Sequence, residues 1–141
     1  MAAFNKFQPF GEYLAEKKID LSADTLKVLL TNTAPVATNG LKGDLTEIAA
    51  GNGYSAGGAV AAQSSSAQSG GTYKLVIGDV VFTASGGAIG PFRYAVLYDD
   101  TPTTPADPLI GWFDYGSAQT LADGEAITVD FDAVNGVLQL A

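Results

Sequence analysis

A chain of 141 residues, 47% apolar and 16% charged, is long enough to close one hydrophobic core and too apolar to stay disordered. Its formal charge of −8 repels phosphate backbones, which excludes nucleic-acid binding by counterion release, and without cysteine there is neither a disulfide framework nor a thiolate metal site. The absence of histidine removes the commonest general base and the commonest metal ligand together, and with them the serine–histidine and cysteine–histidine nucleophile systems.

The charge is uneven. Residues 1–47 hold five basic and six acidic side chains, whereas residues 48–141 hold Lys74 and Arg93 against nine acids. Such a surface keeps a densely displayed protein soluble and suits a basic docking partner. No run of eighteen apolar residues exists, and the N-terminus lacks a charged-then-apolar leader, so the expectation is a soluble, unsecreted chain with no membrane partner.

In chain order, residues 4–18 (FNKFQPFGEYLAEKK) predict the one helix, with Phe7, Phe10 and Leu14 at helical spacing and Tyr13 beside them. Pro9 is tolerated in a first helical turn and not later, so the regular helix is expected to begin near Pro9, and Lys17 and Lys18 suit the C-terminal end of the dipole. Residues 1–20 are thus expected as a helical arm, aromatic-tipped at Phe4, Phe7 and Phe10. It either packs over an open end of a sheet or reaches a neighbouring subunit. Residues 25–31 predict a strand with Leu26, Val28 and Leu30 on one face. Residues 44–49 predict a helical turn capped by Asp44, with Glu47 completing a capping box. Residues 51–58, rich in glycine, predict a turn around Tyr54.

Residues 59–66 predict a weak strand of small residues, at an edge or on the surface, closed by a serine–glycine turn at 68–71. Residues 72–77 and 80–84 predict either a hairpin about Gly78-Asp79 or one strand kinked there. Residues 91–116 are the expected centre of the fold: two strands joined by a proline-punctuated loop, carrying six of the fourteen aromatic residues. Strict alternation places Phe92, Tyr94, Val96 and Tyr98 on one face of the first strand, and separates Leu109, Gly111, Phe113 and Tyr115 from Ile110, Trp112 and Asp114 in the second. Residues 125–131 alternate with Ile127, Val129 and Phe131 inward. Asn135-Gly136 then turns the chain into a last strand whose Leu138 and Leu140 share a face.

This pattern predicts an all-β fold, an antiparallel jelly roll or β-sandwich of about eight strands at 21–141, preceded by the short helical arm. There is no internal repeat and no linker.

Chemistry finds little to stand on. Asp99, Asp100, Asp107, Asp114, Asp130 and Asp132 are candidates for a carboxylate pair, but they fall in turns or at outward strand positions, and the chain reads as a non-enzyme with no cofactor. Asp99, Asp100 and Asp107 in one loop offer hard oxygen ligands, though their spacing matches no calcium loop. Gly57-Gly58 and Gly86-Gly87 lie between no strand and helix and cradle no phosphate. Tyr98 and Trp112, if exposed, would form a stacking platform for host glycans, as in a tail or fibre adhesin.

The stretches LKVLLTNTAPVATN (26–39), DLTEIAAGNGYSAGG (44–58), GPFRYAVLYDDT (90–101), PLIGWFDYGS (108–117) and ITVDFDAVNGVLQLA (127–141) resemble a family of small tailed-bacteriophage virion proteins, the capsid cement or decoration proteins. The resemblance covers nearly the whole chain. It implies a jelly-roll subunit, a homodimer, made in the host cytoplasm and carried on the outside of an icosahedral shell, where it bridges subunits of the major capsid protein. It transfers no catalytic residue.

Overall fold

The computed structural model describes residues 3–141, and its elements are almost all strands. Five of them form one antiparallel sheet in the order β1 (Phe4–Lys6), β8 (Leu109–Leu121), β7 (Ile89–Asp99), β2 (Leu26–Thr31) and β3 (Ala59–Ala61). A second sheet orders β10 (Leu138–Leu140), β5 (Thr72–Ile77) and β4 (Gln63–Ser69), and β6 (Val80–Thr83) pairs with β9 (Ala126–Val129). One helix, α1 (Pro9–Ala15), and a 3-10 turn at Lys42–Asp44 complete the chain. The fold is the expected all-β sandwich. Where about eight strands were expected, ten are described, and they sort into sheets of five, three and two.

The five-stranded sheet is buried on both faces. Leu26, Val28 and Leu30 of β2 meet Leu75, Ile77, Val80, Phe82 and Val129 across the main core. The opposite face carries a smaller core of Leu29, Val96, Tyr98 and Leu109, closed by Phe7 with Leu45 and Trp112 against it. The β7–β8 hairpin contributes to both cores, which is why its sequence is so aromatic.

Strict alternation misassigns three residues in that hairpin, Phe92, Leu109 and Ile110. Between Phe92 and Tyr94 the pairing partner jumps from Gln119 to Asp114, so the phase of β7 changes and Phe92 joins Ala95 and Leu97 in the main core. At the other end Leu97 pairs with Gly111 and Tyr98 with Leu109, leaving Ile110 as an extra residue. That bulge turns Ile110 into the main core and puts Leu109 on the Trp112 side.

Three further expectations are corrected. Residues 4–6 are a strand, with Phe4 opposite Phe113 and Lys6 opposite Gly111, while the helix starts at Pro9, as expected. Residues 72–77 and 80–84 form neither a hairpin nor one kinked strand: Gly78-Asp79 carries the chain from one sheet to another, where the Asp79 carboxylate accepts the Phe131 N–H at 2.9 Å. The helical turn expected at 44–49 lies earlier, at Lys42–Asp44, because the Asp44 carboxylate folds back to accept the N–H groups of Gly40 and Leu41, each at 3.0 Å. Residues 51–58 do form a turn, pinned by Tyr54, which is buried.

Of the two placements open for the arm at 1–20, the described part takes the one on its own chain. Residues 1 and 2 fall outside the described residues; from Phe4 onward the segment is an edge strand and a helix docked on the sheet. Gly111 permits this close approach, since a Cβ there would collide with the Phe4 ring and the Asn5 carbonyl.

Candidate interaction surfaces

The residues singled out from sequence as contact points are mostly interior. Phe7 has no exposed surface and packs on Trp112 with ring centroids 4.5 Å apart. Phe10 is 3% exposed and sits in the main core. Phe4 is half-buried, edge-on to Phe113 at 5.2 Å. Tyr98 is fully buried; its hydroxyl donates to the Gly57 carbonyl at 2.6 Å, and the Lys42 ammonium lies 5.6 Å from its ring centre. Burial raises the Tyr98 phenol, with the nearby charges of Asp100, Asp107 and Glu47 adding to the shift. Phe7, Phe10 and Tyr98 are therefore corrected from contact residues to core residues. Trp112 is half-buried against Phe7 and Tyr98 is fully buried, so the two do not form an open platform for a sugar ring.

The reason is local. Phe4 packs against the main core and Phe7 in the smaller one on the opposite face, and the Phe7 N–H donates to the Ile110 carbonyl at 3.1 Å, extending the β1–β8 ladder by one residue. Aromatic residues three apart read as a helical stripe in the sequence but are shared here between a strand and a helix.

The acidic candidates do not converge either. Asp114 is held by the Arg93 guanidinium through two bonds of 2.8 and 3.2 Å and also accepts the Gly116 N–H at 2.8 Å. The Arg93 partner chiefly keeps the Asp114 carboxyl below the usual range, which makes it a poor proton donor. Asp100 pairs with Lys27 at 3.1 Å, Asp107 lies at φ 49° in the connecting loop, and Asp99 is buried. Asp132 accepts the N–H groups of Val134 and Asn135, each at 2.8 Å, and closes the turn before β10. Among the described residues no group of three or more acidic side chains is arranged to hold a metal ion. No helix among them is long and apolar enough to cross a membrane.

Comparison with protein-family models, with curated proteins and with solved structures finds no match.

What the surface does offer is open strand edges and a groove. The single weak strand expected at 59–66 is two strands, β3 and β4, in different sheets; each ends its sheet, in keeping with the expected edge position, and β4 runs through Ser69 to a two-residue Gly70-Gly71 turn. β4 carries no charge, so nothing on its side chains repels an approaching strand. Val60 and Val81 are each 57% exposed on their strands, and Leu140 is 53% exposed on β10. An open groove of about 620 Å³ lies between the end of α1 and the β5–β10 ribbon, with Leu14, Ile19, Leu21, Tyr73 and Leu140 among its lining.

Proposed function

We propose that the chain is a non-enzymatic structural protein of the outer surface of a tailed-phage capsid, where it binds and bridges subunits of the major capsid protein and stabilises the shell. The observation that carries this reading is the ordered series of family-like phrases spanning residues 26–141. The architecture supplies means that suit the role. A sheet buried on both faces makes a stiff body, and stiff bodies lose little conformational entropy when they dock.

With Phe7 and Phe10 committed to the interior, docking falls to loops, strand edges and the exposed valines rather than to an aromatic arm. Each such contact is modest. Repetition across a lattice converts modest contacts into strong overall attachment. Binding to the assembled shell and not to free subunits also stabilises the shell by mass action. The acidic excess favours a basic capsid surface, and the free edges of β3 and β4 are the places for self-association by strand addition.

The test is to prepare virions lacking this protein and measure their survival of heating and osmotic shock. Lower survival, restored by adding back the purified chain, is the expected result. Depleted particles as robust as complete ones would overturn the proposal.

A further inference from the structure

Of the strands with an open edge, β1, β3 and β10 have three residues each and β6 and β9 four, whereas β4 has seven. The Gly70-Gly71 turn that follows β4 has φ of 59° and 87°, the two-residue form in which the flanking pair, Ser69 and Thr72, is hydrogen-bonded. Bonded and non-bonded pairs alternate from there, so the backbone N–H and C=O groups of Ala67 and Ser69 meet β5, while those of Ser66 and Gln68 point out of the sheet. Among the described residues, no backbone group of 64–69 bonds outside the β4–β5 ladder. The register slips between Gln63 and Ser65, so the regular edge is 65–69, and Ala67 is its midpoint.

An open edge is ordinarily blunted by a charge, a proline or a covering segment. β4, with the sequence QSSSAQS, has no charge and no proline, and nothing pairs along its outer side. The two strands behind it, β5 and β10, carry a single charge, Lys74. A basic partner strand would find no carboxylate on β4 and would meet that lysine. An acidic one would approach the part of the chain, 48–141, in which acids outnumber bases nine to two. The edge fits a neutral strand, and β4 is itself one.

We propose that β4 pairs antiparallel with β4 of a second copy across a two-fold axis at Ala67, joining two three-stranded sheets into one. In this register Ser66 of each copy lies opposite Gln68 of the other and exchanges two backbone bonds with it, and the paired Ala67 residues face each other between them. Every opposed pair from Ser65 to Ser69 is neutral and small or flexible, so no clash of charge opposes the contact. Because both copies use the same edge, one contact closes both. Pairing β4 with β3 of another copy would instead leave a free edge at each end and build a fibre. The pairing makes specific the self-association that the capsid reading assigns to β3 and β4. It is tested in solution, so its failure would leave capsid attachment standing.

So few backbone bonds make a weak dimer, and sedimentation equilibrium of the purified chain up to millimolar concentration is the assay. A monomer–dimer equilibrium with no larger species is expected; a monomer throughout, or growth beyond the dimer, would overturn the proposal. Gln68→Pro deletes one outward N–H in each copy and leaves the bonds to β5 intact, so it should weaken dimerisation about 5- to 150-fold. Ala67→Glu places an acid beside Lys74 within one copy but two acids face to face between copies, so it should dimerise more weakly while melting no lower than the wild type. In a chain without cysteine, Ala67→Cys should form a disulfide-linked dimer on mild oxidation, because a non-hydrogen-bonded pair holds its Cα atoms about 4.5 Å apart; Val60→Cys on β3 should not. Undiminished dimerisation of Gln68→Pro and Ala67→Glu, or a dimer lost on Val60→Glu instead, would move the contact to another surface and overturn the proposal.

Discussion

Truncating Phe7 to alanine separates the observed fold from a free aromatic arm. The ring has no exposed surface, lies 4.5 Å from Trp112, and closes the smaller core with Leu29, Val96, Tyr98 and Leu109. Removing a buried phenylalanine costs about 3–5 kcal/mol, the lost transfer energy plus that of the cavity left behind. A domain of this size has a total stability on the order of 5–15 kcal/mol, so the change is large. Trp112 is the chain's single tryptophan and lies against Phe7, so its fluorescence reports on the site during urea unfolding. At about 1–3 kcal/mol per molar urea, the midpoint should fall by at least about 1 M. A loss within about 0.5 kcal/mol, as for an exposed side chain, would refute the placement of residues 4–15 on the sheet.

Gly58→Ala should destabilise severely, because φ is +81° and a Cβ would strike the Val28 carbonyl in the middle of β2; reduced soluble yield and a lowered melting temperature are the readouts. Tyr98→Phe leaves the buried Gly57 carbonyl without its donor and should cost about 1–3 kcal/mol in chemical unfolding, with strand content unchanged by circular dichroism. On the acid side, hydrogen bonds hold Asp20, Asp44, Asp114 and Asp132 below their ordinary values, chiefly through Ser22, the Gly40 N–H, Arg93 and the Asn135 N–H respectively. Their stabilisation is present above about pH 4 and lost as pH falls through the depressed values, so melting temperature should drop between about pH 4 and 2.

Where the hydrophobic period was clean, the fold was legible in the sequence. β9 alternates without interruption, β2 keeps Leu26, Val28 and Leu30 on one face as expected, and the ends of both agree with the expected strands to within one or two residues. The edge position of β3 and β4 followed from small, uncharged residues that specify no buried face. Bulges broke the rule elsewhere: the phase of Phe92 and of Ile110 depends on which residues of the partner strand are skipped, and no single strand encodes that. The Gly78-Asp79 pair has the chemistry of a two-residue turn, yet Asp79 spends its carboxylate on Phe131, 52 residues away, and the strands diverge. The contact candidates failed for a related reason. An aromatic residue near a terminus reads as an exposed anchor only until β1 pairs with β8 and carries Phe7 inward.

The central functional claim is attachment to the outside of a capsid lattice, and an electron cryo-microscopy reconstruction of the virion tests it most directly. The account predicts density with the shape of this sandwich on the outer shell, touching at least two major capsid subunits in each repeat. Density confined to the tail, or particles that lack the chain altogether, would contradict it.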